Sequence, residues 1–82
     1  MFRPQSTQKL HGGIQQVYEF KNGFGASVIR HKGSYGFKQG LWELAVLDSA
    51  GEITYDTPIT MDVIGHLTRT EIQSYLKEIS KL

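Results

Sequence analysis

The sequence predicts an α+β domain, in which a four-stranded, mainly antiparallel sheet of two hairpins packs against one C-terminal amphipathic helix. Three observations support this prediction. Apolar and polar residues alternate around two glycine-containing turns, a nearly continuous apolar stretch lies mid-chain, and apolar residues recur every three or four positions near the C-terminus. With 82 residues, the chain is long enough for one hydrophobic core.

The N-terminal segment lacks a hydrophobic period of either kind. Residues 1–13 are mostly polar, contain Pro4 and end in Gly12-Gly13. Such a composition is typical of chain that buries nothing. We therefore expect residues 1–13 to be a flexible arm and residues 14–82 to form a single α+β domain.

The first hairpin is predicted around Asn22-Gly23. Residues 14–20 alternate as a strand with one buried face, and Asn-Gly is a strong short-range hairpin signal because both residues tolerate positive φ. Residues 24–31 form its second strand, with Gly25 marking a bulge or a close backbone approach.

The second hairpin is predicted over residues 41–56. Residues 41–47 are apolar at nearly every position, as expected for a central strand covered on both faces. A turn at residues 48–51 provides Gly51 for positive φ, and residues 52–56 alternate again as a fourth strand. The glycine-rich residues 32–40 connect the two hairpins as a loop.

The region after the second hairpin is ambiguous. Thr57-Pro58 ends ladder pairing, because proline has no amide donor. Residues 60–67 within the segment 57–67 fit either a short helical turn or a last strand, and the sequence favours the turn.

The C-terminal helix has the clearest local signals. Thr68 and Glu71 have the spacing of a capping box, in which each side chain accepts a hydrogen bond from the other residue's backbone amide. Four apolar residues then form one stripe: Ile72, Tyr75, Leu76 and Ile79. We expect this stripe to pack on a sheet face formed by Val28, Trp42, Leu44 and Val46.

Composition excludes several classes of site. The chain has no cysteine, so it has neither a disulfide nor a thiolate ligand or nucleophile. Its histidines, His11, His31 and His66, lack the spacing of a local metal site, and we predict no metal and no cofactor. The apolar stretch 41–47 is too short for a membrane span and the N-terminus lacks a secretory signal, so the expected location is the cytoplasm.

Catalytic motifs are absent from the sequence. The stretch from Gly23 begins like a dinucleotide-binding fingerprint, but Val28 stands where the third glycine belongs. Neither Ser27 nor Ser34 lies in a nucleophile elbow. We therefore expect a protein that is not an enzyme, and a small enzyme is the least favoured interpretation.

Charge is distributed unevenly along the chain. Residues 1–40 carry six lysine or arginine residues and one acid, whereas residues 41–82 carry three and seven respectively. The fold either separates these charges into a bipolar molecule or mixes them across one surface.

The loop between the hairpins contains the candidate contact residues, which combine basic and aromatic side chains: Arg30, Lys32, Tyr35, Phe37 and Lys38. Such side chains stack on bases and bind phosphates, or anchor a protein interface. The alternative is structural, with Tyr35 and Phe37 folded over the core as a lid.

A resemblance adds context to these residues. The stretches Tyr18–Arg30, Ser34–Gly36, Gly40–Leu47 and Tyr55–Thr60 resemble small proteins encoded by tailed bacteriophages and prophages, over about residues 17–82. The resemblance implies a protein made in an infected bacterial cytoplasm, but it contains no catalytic motif and transfers no functional residue.

The favoured interpretation is a non-enzymatic binding module that acts on a host or phage protein through the loop 32–40. The alternative is a nucleic-acid-binding module that uses the basic and aromatic residues of loop 30–40.

Overall fold

The computed structural model describes residues 1–10, 12–33, 37–59 and 63–82. Over these ranges, the chain forms one antiparallel sheet and one C-terminal α-helix, which confirms the predicted α+β class. The described sheet has five strands, however, so the predicted number of four is wrong. The elements are β1 (Ser6–Leu10), β2 (Gly13–Glu19), β3 (Gly25–Arg30), β4 (Trp42–Leu47), β5 (Ile64–Leu67) and α1 (Arg69–Ile79), with a short 3-10 turn at Phe37–Gln39. Each strand pairs with the next one in sequence.

The edge strand β1 lies within residues 1–13, for which the sequence predicted no strand. It pairs antiparallel with β2, in a register that places Ser6 opposite Val17 and Lys9 opposite Ile14. Its side chains are nearly all exposed, because β1 covers no core. A strand of this kind needs no hydrophobic alternation, which is why the sequence did not reveal it.

The chain before β1 contacts the helix. The backbone of Phe2 makes two hydrogen bonds with the side chain of Gln73. The Phe2 amide donates to Gln73 Oε1 at 2.8 Å, and the Phe2 carbonyl accepts from Gln73 Nε2 at 3.1 Å. The Phe2 ring meets the Phe20 ring edge-on, with centroids 5.4 Å apart. The N-terminal residues thus connect the first hairpin turn with α1.

The predicted first hairpin is confirmed. Its loop is a turn closed by hydrogen bonds from the Gly23 amide to the Phe20 carbonyl and from the Phe20 amide to the Phe24 carbonyl. Gly23 has φ +92°, a value that favours glycine. Gly25 marks the close backbone approach that the sequence indicated, since a side chain there would collide with the carbonyl oxygen of Tyr18.

The second hairpin begins as predicted and then departs from the prediction. The turn from Asp48 to Glu52 repeats the hydrogen-bond pattern of the first, with Gly51 at φ +79°. Residues 52–56, however, do not form the predicted fourth strand. Only Ile53 bridges to Leu47, and the Ile53 side chain is half exposed.

The last strand, β5, occupies part of the segment for which the sequence favoured a helical turn, so that prediction is wrong; residues 60–62 lie outside the described ranges. Its register against β4 shifts between the pairs Leu44–Ile64 and Trp42–Leu67. His66 lies in this irregularity with φ +60°, the left-handed region.

The helix and the core agree with the prediction. Thr68 and Glu71 form both hydrogen bonds of the capping box. The core contains all four predicted sheet residues and three of the four stripe residues, while Tyr75 is half-buried at its margin. Tyr18, Ala26 and Leu67 complete it.

The far end of α1 is held by the first hairpin turn. Asn22 donates from Nδ2 to the carbonyl oxygens of Ile79 at 2.8 Å and Leu82 at 3.2 Å, and its Oδ1 accepts from the Phe24 amide at 3.0 Å. One side chain therefore shapes the turn and also binds carbonyls at the helix end, where the Ile79 carbonyl accepts from the Leu82 amide as well.

Candidate binding surfaces

The sheet face opposite α1 forms a groove at one end of the molecule. Strand alternation directs Val17, Ser27 and Leu47 to this face, while their neighbours Tyr18, Ala26 and Val46 face the helix. No described helix covers the groove face. The groove, of about 480 Å³, lies over this face, between Phe24 and Ile53.

The groove is bounded by the two hairpin turns. Gly23 and Ser49 are close enough that a Cβ on Gly23 would lie 3.6 Å from the Ser49 Cβ, so the turns stand side by side. Gly25 removes a side chain from the base of the groove. Residues of both turns therefore line the groove.

The lining of the groove combines apolar and acidic groups. Val17, Phe24, Leu47 and Ile53 contribute apolar surface, and Gln15 donates to the Ser27 hydroxyl at 3.0 Å. Among the described lining residues, Glu19 and Asp48 are acidic and none is basic. Asp48 already accepts hydrogen bonds from the amides of its own turn, which leaves exposed Glu19 as the carboxylate more available to a ligand.

The opposite end of the sheet carries a cluster of basic residues over Trp42. The guanidinium carbons of Arg30 and Arg69 lie 5.9 Å and 4.7 Å from the Trp42 ring centroid. Both distances are within the range of cation–π attraction. Trp42 is only 9% exposed and therefore belongs to the core beneath the two cations.

Arg69 is held in place by polar side chains of β2. Its Nη1 donates to Gln16 Oε1 at 3.0 Å and its Nη2 to the Tyr18 hydroxyl at 3.4 Å, and Tyr18 donates to Gln16 at 3.3 Å. Arg69 also occupies the first position of α1, where the helix dipole disfavours a cation. These contacts keep its charge at the end of the sheet.

The structure brings only some of the sequence-predicted site residues together. Arg30 lies over Trp42, and exposed Lys32 and Lys38 belong to the loop that leaves and re-enters the sheet at this end. Phe37 is half-buried, and Tyr35 lies outside the described residues. Arg69 was not among the predicted site residues. Its one local signal is that a basic residue stands in the first turn of a helix.

No family model, curated protein or solved structure matches the chain. In the ranges that the structure describes, no group of three or more histidine, aspartate or glutamate side chains is placed to hold a metal ion. The described helix is also too short to cross a membrane.

Proposed function

We propose that the chain is a small, non-enzymatic binding module that binds a protein through the groove between its two hairpin turns. The resemblance to phage proteins supports a phage origin, a host or phage protein as the partner and the bacterial cytoplasm as the location. The observation that carries the proposal is the apolar lining of the groove, formed by Val17, Phe24, Leu47 and Ile53, of which Ile53 is 50% exposed.

The shape of the groove suits a protruding side chain. Its volume of about 480 Å³ falls in the range of pockets that hold compact ligands, and its walls are two turns of defined geometry. Protein interfaces gain most of their affinity from a few apolar anchors that fill such pockets. A partner side chain in this groove would cover Val17 and Ile53.

The charge of the lining defines the partner further. Glu19 is exposed at the groove, and no lysine, arginine or histidine lies among the described lining residues. We therefore propose a protein segment in which an apolar side chain stands next to a lysine or arginine. Electrostatic complementarity of this kind contributes to specificity and to the association rate.

The loop 32–40 is a weaker protein-contact surface than the groove. Its described residues provide two exposed lysines and the half-buried Phe37 but no fully exposed apolar side chain. Because lysine is depleted in protein interface cores, a protein partner is better matched to the groove.

The experiment compares two Ile→Lys variants on opposite faces of the sheet. Ile53 is 50% exposed at the groove and Ile14 is 41% exposed on the helix side, so both substitutions make the same chemical change at similar exposure. Wild type, Ile53→Lys and Ile14→Lys are used to capture proteins from nuclease-treated lysate of phage-infected cells. We expect one partner to be retained by wild type and Ile14→Lys and lost by Ile53→Lys.

Salt dependence and melting temperature complete the test. An apolar anchor should keep most of its affinity between about 50 mM and 200 mM salt, whereas a polyanion contact loses several orders of magnitude. Both variants must melt close to the wild type. A partner that Ile53→Lys still binds, or one released by nuclease, would refute binding at the groove.

A further inference from the structure

We propose that the other end of the sheet, which we term the basic end, binds the phosphate backbone of a nucleic acid. The basic end comprises Lys9, Arg30, Lys32, Lys38 and Arg69. It is distinct from the groove, so this proposal does not depend on the proposed function.

The strand register places two of these cations, Lys9 and Arg30, on one face. Lys9 is paired with Ile14, and Ile14 with Arg30. Residues paired across neighbouring strands project from the same face, and the next pair in the same register is Arg30 with Trp42. Lys9 and Arg30 therefore stand in one row across the sheet with the tryptophan.

Arg69 joins this row from the helix. Its guanidinium lies 4.7 Å from the Trp42 centroid and donates to Gln16 and Tyr18. Because a guanidinium has five N–H donors, these bonds leave further donors for a ligand. A planar guanidinium held in place loses less conformational freedom on binding phosphate than a mobile lysine does.

The charge of the basic end is not neutralised by the described residues around it. Neither Arg30 nor Arg69 forms an ion pair with any of them. Glu43 is paired with Ile29 and so faces the opposite side of the sheet, and Glu71 accepts the Thr68 amide within the capping box.

The width of the basic end points to a polyanion rather than a single ion. From β1 to β4 it crosses three strand spacings of ~4.8 Å, or about 14 Å, which one phosphate cannot span. The loop adds Lys32 and Lys38 where the chain passes from β3 to β4. A nucleic-acid backbone repeats its phosphates along such a distance.

The expected recognition is independent of base sequence. Trp42 is 9% exposed beneath Arg69, so it cannot act as a stacking platform. Contacts from lysine and arginine to phosphates position a protein on nucleic acid without reading its bases. Single strands of different sequence should therefore bind with similar affinity.

The test measures affinity for a labelled single-stranded DNA of about 20 nucleotides over a salt series. The first variant carries Lys9→Gln, Lys32→Gln and Lys38→Gln, all at exposed positions. The control carries Lys21→Gln, Lys77→Gln and Lys81→Gln, which make the same change in net charge at the other end of the molecule. Because each lost contact lowers the salt slope by about 0.7, we expect the slope of the first variant to fall by about 2 and that of the control almost not at all.

Two further measurements separate phosphate binding from a general attraction to negative charge. Arg69→Lys keeps the charge but loses the planar donor group, so we expect affinity to fall about tenfold while the variant stays folded at the assay temperature. Poly-glutamate should compete poorly. Equal losses in the lysine variant and its control, equal competition by poly-glutamate, or binding that ignores salt would each overturn the proposal.

Discussion

At the residue scale, Glu71 couples the start of the helix to pH. Its carboxylate accepts the Thr68 amide at 3.0 Å, and the Glu71 amide donates to the Thr68 hydroxyl at 3.2 Å. The hydrogen bond from the Thr68 backbone, followed by that from its side chain, lowers the pKa of Glu71 below its ordinary value. The unfolded chain therefore takes up this proton at a higher pH than the folded chain does.

The first prediction compares wild type with Glu71→Gln, which keeps an acceptor oxygen but does not titrate. The contribution of the ionised Glu71 carboxylate to the free energy of unfolding is complete above the unfolded-state pKa. It is lost as pH falls through the lower folded-state pKa. Urea unfolding from about pH 7 to about pH 3 should show the stability advantage of wild type over the variant shrinking below about pH 5. A difference that is constant with pH would contradict the capping role.

The second prediction concerns the backbone at His66. A residue with a Cβ is strained at φ +60°, whereas glycine is not. His66→Gly and His66→Ala both remove the imidazole, so the difference between them isolates the backbone. We expect the glycine variant to be more stable by about 1 kcal/mol in chemical denaturation. Equal stabilities would mean that position 66 does not adopt positive φ in solution.

At the element scale, Asn22 connects the first hairpin turn to the end of α1. In the third prediction, Asn22→Ala removes the donor to Ile79 and Leu82 and should cost about 1 to 2 kcal/mol. Asn22→Asp keeps the acceptor for the Phe24 amide but places a negative charge against helix carbonyls, so it should be no more stable than the alanine variant. Recovery of stability by aspartate would mean that only the turn contact matters.

The fourth prediction concerns the contact of the N-terminal segment with the helix. Phe2→Ala removes the edge-on contact with Phe20 and should lower stability by about 1 to 3 kcal/mol, because the ring is partly buried. Arg3→Ala is the control, since Arg3 is exposed and surface changes of this kind stay within about 0.5 kcal/mol. Equal melting temperatures for the two variants would instead favour the flexible arm that the sequence predicted.

The sequence predicts the elements that bury one regular face. It does not predict the elements that lack such a face. The stripe of α1 and the alternation of β2 agree with the structure because one side of each packs on the core. Strand β1 is exposed, so no buried face imposes an alternation of apolar and polar residues on it. Strand β5 contains Gly65 and the strained His66, which interrupt the alternation by which a strand is recognised. Apolar and polar residues also alternate over residues 52–56, but Ile53 is not buried there. Alternation alone therefore predicted a strand that the structure does not contain.

At the scale of the whole molecule, the charge asymmetry of the sequence is only partly preserved. Lys9 and Arg30, from the basic first half, stand together, but Arg69 joins them from the acidic second half across 39 residues of sequence separation from Arg30. No local sequence pattern predicts that Arg30 and Arg69 both lie near Trp42. The groove likewise depends on two turns that are far apart in sequence, near Gly23 and Ser49. It can therefore be recognised only in the folded structure.

The contacts around the first hairpin turn also bear on circular permutation. Phe2 packs on Phe20 and the Leu82 carbonyl accepts from Asn22, so residues near the two ends of the chain meet at one turn. A short glycine-rich linker should join them, and new ends opened between the exposed Lys32 and Gly33 would follow the end of β3 that lies away from that junction. Such a rearranged chain would carry its fusion tags beside the basic end, leaving the groove unobstructed for partner capture.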